Sequence, residues 1–428
     1  MKNLLSVIFL FLAFFAHSQS NSLIINAAIK LPKDSIESAL LIKSLKGFLE
    51  DSQKPNEENK FVLSTEKIET DILLDEFKGI QKSGRFKDDY FYKPYLTNLV
   101  PLPQNKYLVQ LAYIGINEKI SILVANFEII AHKIDNGFVF SSPLIRNTQN
   151  WKIEKIGNSI FHYKFTLNKT KTNEYEKMTT MLDKKLKSVN KITEFYGCED
   201  FSELQKLIGV DYKVDYNGQE ENTFSSVLGN RKLIVSGNHN THFDNFDPHD
   251  LWHDRLSLVI SRRKVYKPVD EAIAIVYGGS WGMTWNEIFK KFKANVANDK
   301  KADWMGFKET PLNFGESQQK DLMVDHVVNA LIVKDLEKQK GFSAVWELLN
   351  CGKYEKGNEN YYKSLEKLTR EISTPPVTAY LSTSPASVLN STADVAIGKR
   401  RELFNLKGDH RRLQNNDSSS CDNAPKEQ

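Results

Sequence analysis

Residues 237–260 read GNHNTHFDNFDPHDLWHDRLSLVI and contain four of the nine histidines of the chain. Asp247 is a good helix N-cap and Pro248 suits the first helical position, so the stretch predicts a helix from there to about Ile260. His249 and His253 then lie one turn apart on the same helix face. Two imidazoles at positions i and i+4 can bind one zinc ion at about 2.0–2.1 Å each, so this spacing predicts a metal site.

A third ligand is expected from the segment KPVDEAIAIVYGGSWG, which supplies Glu271 eighteen positions after His253. Pro268 suits the start of a helix, and Gly278 or Gly279 suits its end. With water in the fourth position, two histidines and one glutamate form a catalytic type of zinc site. The run AIAIVYG is also short and β-branched enough to be a buried strand, in which case Glu271 would need another route to the metal.

These residues resemble the peptidase-MA-like members of the gluzincins, zinc metallopeptidases in which a helix with two zinc histidines precedes a helix with a D/N-E-G-x-A motif. The matching positions are His249, His253 and the run DEAIA at 270–274. The resemblance covers roughly residues 172–370, because the elements expected before and after the motif follow the order of that domain. It implies a zinc peptidase whose metal ion is bound by His249, His253 and Glu271.

The sequence departs from the family pattern at Asp250, where the family has a glutamate as general base. The loss of one methylene withdraws the carboxylate by about 1.5 Å, whereas proton abstraction needs heavy atoms about 2.6–3.2 Å apart. Asp250 also lies in the first helical turn, where an acid favours the helix dipole whether or not it does chemistry. Ala272 replaces the usual glycine, which a helix accepts. A polar tail replaces the apolar segment expected after residue 373.

The sequence leaves the roles of several other polar residues open. His239 and His242 either line a substrate cleft or bind nothing. The run 262–264, Arg-Arg-Lys, is expected to be a solvated helix end. Gluzincins require a hydrogen-bond donor for the transition-state oxyanion, and the sequence leaves three candidates open: His326, Tyr361 and Tyr362.

The N-terminus, MKNLLSVIFLFLAFFAHSQS, has the pattern of a cleavable signal peptide over residues 1–18. Its apolar run is too short for a membrane helix, and no later window is long and apolar enough for one. The first cysteine is Cys198, so the signal region has no lipid-attachment site. The sequence therefore predicts a secreted or periplasmic protein without a membrane span.

The remaining chain predicts an α+β protein with two domains, because about 400 residues exceed the size of one core. Residues 19–167 are expected to form an α+β domain in which a helix capped by Ser35 precedes a curved antiparallel sheet. Residues 168–373 are expected to form a mostly helical gluzincin-like domain with a small sheet, opened by a helix over 168–197. Residues 374–428 are polar and predict a disordered tail.

Composition excludes some functions and leaves others open. The 58 basic and 54 acidic residues give a net charge of only +4, and the lysines are scattered, so nothing indicates a nucleic-acid partner. Three cysteines are too few for a disulfide framework, although Cys198 and Cys351 could pair if the fold brought them together. Oligomeric state and substrate sequence are not encoded in any recognisable pattern.

Three functional hypotheses follow. The first is an exported zinc peptidase acting on peptide or protein substrates, in which His249, His253 and Glu271 hold zinc and Asp250 activates water. The second, motivated by the shorter Asp250, is a catalytically weak or inactive zinc- or peptide-binding module of the cell envelope. The third is a non-catalytic envelope scaffold.

Overall fold

A computed structural model describes most of the chain, namely residues 23–188, 191–296, 313–315, 321–355 and 358–369. The predicted signal peptide (1–18) and polar tail (374–428) lie outside these residues. The chain forms two compact units, the first extending to Phe246 and the second beginning at Asp247. Residues 168–246, which the sequence pattern grouped with the metal motif, belong to the first unit.

The first unit begins with a six-stranded mixed sheet. Its strands are β1 Ile24–Ile25, β2 Lys93–Leu102, β3 Lys106–Asn117, β4 Ile120–Ile134, β5 Gly137–Ser141 and β9 Val210–Lys213. They follow the order β1-β2-β3-β4-β5, and β9 pairs with β4. Strands β2 to β5 are antiparallel as predicted, whereas β1 joins β2 in parallel. Register shifts at Leu96/Asn98 and at Tyr113/Ile114 mark bulges, which bend strands.

A second sheet of the same unit has the order β10-β11-β8-β7-β6. Its strands are β6 Lys152–Ile156, β7 Ser159–Tyr163, β8 Ile192–Gly197, β10 Thr223–Leu228 and β11 Arg231–Ser236. The strands of residues 19–167 therefore divide between two sheets, since β6 and β7 belong to a sheet completed by strands from later in the chain. The β7–β8 and β8–β11 pairs are parallel, and parallel neighbours need a crossover connection.

Several helices pack with these sheets: α1 Ser35–Asp51, α2 Lys67–Phe77, α3 Leu144–Asn147, α4 Lys169–Leu186 and α5 Phe201–Ile208. Helix α4 supplies the crossover from β7 to β8. It ends eleven residues earlier than predicted (186 against 197), because Lys187 adopts a left-handed conformation and ITEFYG becomes β8. Asp34, rather than the predicted Ser35, caps α1 by accepting the backbone N–H of Ile36 at 2.8 Å.

The described part of the second unit is helical. Its helices are α6 Pro248–Ser257, α7 Lys267–Gly278, α8 Trp285–Val296, α9 Val324–Lys340, α10 Phe342–Leu349 and α11 Glu359–Thr369. The AIAIVYG run lies in α7 and is therefore helical. Beyond two isolated bridges, no strand occurs among the described residues of this unit. The strands within the residues 168–373 for which a small sheet was expected are β8 to β11, and they belong to the first unit. Its core includes Trp252, Leu256, Ile273, Val327 and Leu348.

The two cysteines of the described chain are both free thiols. Cys198 is buried in the first unit, and burial raises the pKa of its thiol to about 12. Cys351 is half-buried in the second unit. The disulfide considered from the sequence is therefore not formed. None of the described helices combines the length and apolar character needed to cross a bilayer.

Candidate metal centre

Helix α6 presents the two histidines of the motif as predicted. Asp247 caps the helix by accepting the backbone N–H of His249 at 2.8 Å, and Pro248 occupies its first turn. Trp252 is fully buried, which fixes the rotation of the helix about its axis. The imidazole rings of His249 and His253 consequently lie side by side, with centroids 4.9 Å apart.

Helix α7 brings Glu271 to the same place. Ile273 and other apolar residues of α7 are fully buried, while Glu271 is half-buried. The end of α7 closely approaches the start of α6, since a Cβ on Gly278 would lie 2.3 Å from the backbone nitrogen of His249. The next residue, Gly279, has a φ of +76°, which glycine adopts without strain.

Three ligand atoms form a nearly equilateral triangle. The Nε2 atoms of His249 and His253 are 3.2 Å apart. The Oε2 atom of Glu271 lies 3.4 Å from the first and 3.5 Å from the second. Ligands about 2.0–2.1 Å from a tetrahedral zinc are about 3.3–3.4 Å from one another. The triangle therefore already has the dimensions of one face of a zinc tetrahedron.

The other ring nitrogens are held by acceptors. His249 Nδ1 lies 2.8 Å from the carbonyl oxygen of Gly279, and His253 Nδ1 lies 3.0 Å from Oδ1 of Asp270. Each neutral imidazole therefore donates its proton from Nδ1 and keeps a lone pair on Nε2. Two lone pairs facing each other repel unless a proton or a cation lies between them. This arrangement fits the donor set of a metal ion.

Asp270 and Arg262 surround the ligands. Asp270 is fully buried, and its Oδ1 also accepts the indole N–H of Trp252 at 2.8 Å. Arg262 donates from Nε to Oδ2 of Asp270 at 2.7 Å and from Nη2 to Oε1 of Glu271 at 2.9 Å. Residues 262–264 are exposed, as expected, and Arg262 also binds these two carboxylates. The run forms a short helical turn between α6 and α7, and the side chain of Arg262 is 40% exposed.

The charges of this cluster stabilise one another. Burial alone would lower the pKa of His253, but hydrogen bonds to Asp270 and Glu271 raise it to about 9. Burial likewise opposes ionisation of Glu271, yet its contacts with His249 and His253 hold its pKa well below the usual range. The pKa of His249 is raised, because Glu271 and the Gly279 carbonyl outweigh its desolvation. The ligand triangle therefore favours a positive charge at its centre.

Asp250, the predicted general base, is exposed and follows His249 directly. Its carboxylate has no hydrogen-bond partner among the described residues. Desolvation and the like charge of Asp247 raise its pKa, while the two histidines are close enough to act in the opposite direction. The carboxylate is thus free to accept a proton.

The three candidate oxyanion donors differ in how deeply they are buried. Tyr361 is fully buried and donates its hydroxyl hydrogen to Asn329 at 2.8 Å, so it is a core residue. Tyr362 is half-buried and packs edge-on against that ring at 5.3 Å. His326 is 29% exposed, and its Nε2 lies 3.9 Å from Oδ2 of Asp325.

The remaining sequence candidates lie elsewhere. His239 and His242 belong to the first unit, and His242 Nδ1 lies 2.9 Å from the hydroxyl of Thr166. Within the described ranges, His249, His253 and Glu271 are the one group of His, Cys, Asp or Glu side chains close enough to hold a metal. Sequence reasoning missed Arg262, because no spacing rule connects it with α7.

Comparisons of the chain with protein-family models, with curated proteins and with solved structures found no match.

Proposed function

We propose that this chain binds one zinc ion through His249, His253 and Glu271 and hydrolyses peptide bonds. The observation that carries the proposal is the ligand triangle, with edges of 3.2, 3.4 and 3.5 Å. The peptide substrate is suggested by the motif HDxxH with DEAIA, which resembles the gluzincins. Two nitrogens and one oxygen are a donor set typical of catalytic zinc.

Zinc bound there would activate a water molecule and polarise a carbonyl oxygen. Asp250 would act as the proton acceptor, because its carboxylate follows His249 directly and is exposed. His326 and Tyr362 are the remaining candidate donors to the oxyanion, since Tyr361 is committed to Asn329. Asp270 would keep the His253 ring in the tautomer that binds metal.

The test is metal analysis of the purified full chain. We expect about one zinc per chain in the wild type and none in His249→Ala or His253→Ala. His242→Ala, which removes a histidine of the first unit, is the matched control and should retain the metal. Absence of zinc in the wild type, or unchanged content in both site variants, would refute metal binding.

Catalysis needs its own experiment. A mixed peptide library should be cleaved by the wild type, and chelation should stop the cleavage until zinc is restored. Asp250→Asn should lose about 10²–10⁴-fold in rate, the usual contribution of a general base. Equal rates in the wild type and Asp250→Asn would contradict the role of this carboxylate.

The alternative function is a zinc- or peptide-binding module with little or no turnover. It is favoured by Asp250, whose side chain is one methylene shorter than the glutamate of the family pattern. Activity that appears only in Asp250→Glu would support this alternative. Chelator-sensitive cleavage by the wild type would exclude it.

The N-terminal pattern supports the further proposal that the protein acts outside the cytoplasm, in the periplasm or in the medium. The mature chain is expected to begin at Gln19. N-terminal sequencing of the protein recovered from cell fractions tests this, and an intact Met1 on the exported protein would contradict cleavage.

A further inference from the structure

We infer that Arg262 is a positioning residue that limits Glu271 to one metal-binding oxygen and thereby keeps a coordination position open. The inference rests on the proposed zinc site. It concerns the difference between a site that only holds a metal and one that can also take a small ligand.

The two oxygens of Glu271 have different partners. Oε1 accepts the Nη2–H of Arg262 at 2.9 Å. Oε2 lies 3.4 and 3.5 Å from the two histidine Nε2 atoms and completes the ligand triangle. A rotation of the carboxylate that turned both oxygens toward the histidines would break the bond to Arg262.

Arg262 is itself held in place. Its Nε donates to Oδ2 of Asp270 at 2.7 Å, and Asp270 is fully buried. The other oxygen of Asp270 is fixed by Trp252 and His253. The guanidinium is planar, so binding Asp270 through one edge sets the direction in which Nη2 reaches Glu271. A lysine, with a single ammonium, cannot reproduce this fork.

The number of donors decides what the site can do. Structural zinc sites have four protein donors, whereas catalytic sites have three and an open position. If Glu271 offered both oxygens, it would supply a fourth donor. Arg262 also offsets one of the two carboxylate charges of Asp270 and Glu271. A divalent ion between neutral histidines would therefore keep a net positive charge and attract an anionic ligand.

The experiment loads the full chain with cobalt as a spectroscopic probe and titrates it with azide as a small anion. In the wild type we expect the intense visible absorption of four-coordinate cobalt and a change of that band on azide addition. In Arg262→Met and Arg262→Lys azide should bind at least about tenfold more weakly, because the second oxygen of Glu271 would take the position that azide needs. Zinc affinity should not fall in these variants, since Glu271 gains a second contact.

Arg263→Met is the matched control, because Arg263 is the adjacent exposed arginine and its side chain has no partner among the described residues. It should behave like the wild type. Arg262→Lys keeps the charge and the aliphatic stem, so it serves if Arg262→Met does not fold.

Two outcomes would overturn the inference while leaving the zinc site intact. One is wild-type protein that binds cobalt without responding to azide. The other is an Arg262 variant whose azide affinity stays within about twofold of the wild type. Wild-type protein that takes up neither cobalt nor zinc contradicts the proposed function itself.

Discussion

Two charged clusters of this protein are built from similar side chains and differ in what those side chains touch. The sheet cluster lies in the first unit and consists of Glu69, His162, Glu194 and Arg231. The helix cluster lies in the second unit and consists of His249, His253, Arg262, Asp270 and Glu271. Each contains one arginine and two carboxylates next to histidine.

In the sheet cluster the arginine donates hydrogen bonds to both carboxylates. Nη2 of Arg231 donates to Glu69 at 3.1 Å and to Glu194 at 2.9 Å. His162 is left 3.9 Å from Glu194, and its buried Nε2 has no hydrogen-bond partner. Burial and the charge of Arg231 lower the pKa of His162 to about 4. This histidine is neutral and structural.

In the helix cluster the carboxylates contact the imidazoles directly. Asp270 lies 3.0 Å from Nδ1 of His253, and the pKa of that histidine is raised to about 9. Arg262 binds the outer oxygens of the same carboxylates. Each arginine leaves a carboxylate oxygen that it does not contact, but only in the helix cluster does such an oxygen lie within hydrogen-bond distance of an imidazole: 3.0 Å for Asp270 and His253, against 3.9 Å for Glu194 and His162.

The largest effect is expected from Arg231→Met, which leaves Glu69 and Glu194 as unpaired, largely buried carboxylates. Removal of one partner of a buried ion pair costs about 3–5 kcal/mol, and the partial exposure of Arg231 places it near the lower end. Denaturant unfolding measures this loss of stability, with Arg263→Met as the control variant. Addition of Glu69→Gln should recover part of it, and a loss below about 1 kcal/mol would contradict the structural role.

Zinc should stabilise the helix cluster and leave the sheet cluster unaffected. At a free zinc concentration one hundred times Kd, the gain is about 2.7 kcal/mol. Thermal unfolding with zinc and with chelator should show this gain in the wild type and in His162→Ala. The zinc-dependent gain in the free energy of unfolding should vanish in His253→Ala. Loss of the same gain in His162→Ala would contradict the proposed difference between the two clusters.

The two clusters predict opposite pH dependences for the metal-free protein. The folded-state pKa of His253, about 9, lies above its unfolded value of 6.5, so its contribution is complete below pH 6.5 and is lost as pH rises toward 9. The pKa of His162 is depressed from 6.5 to about 4, so stability is lost as pH falls through that interval. Each effect is about 3 kcal/mol, since each pKa differs from 6.5 by about 2.5 and one pKa unit corresponds to about 1.4 kcal/mol.

Unfolding in chelator across pH 4–9 tests both slopes. His253→Gln should flatten the alkaline limb, and His162→Gln should flatten the acidic limb. An unchanged profile in either variant would show that the corresponding histidine does not titrate as described.

The effect of Gly278→Ala depends on how far α6 and α7 can separate. The added Cβ would lie 2.3 Å from the backbone of α6, so the two helices must separate, at a cost of about 1–3 kcal/mol. Because the ligand triangle depends on that approach, zinc affinity should fall with stability. Gly84→Ala, at a glycine with open space around its Cβ position, is the control and should change neither quantity.

Local rules predicted the parts of the fold that local interactions stabilise. Asp247 and Pro248 marked the start of α6, and Pro268 marked the start of α7. The same rules failed for residues 192–197, which were read as the end of a long helix. Those residues become β8 because their partners are β7 and β11, which lie far away in sequence. Pairing with distant strands overrides helical periodicity.

For the candidate site, the sequence by itself determined the ligand types and their spacing. His249 and His253 share a helix face by the geometry of one turn, and Glu271 follows on the next helix. Only the tertiary structure decided that Arg262 binds Glu271 and Asp270, that Tyr361 is buried, and that His162 stays neutral. These outcomes depend on burial and on which charges meet across different elements. Both are set by packing between segments, and the order of residues within any one segment does not specify them.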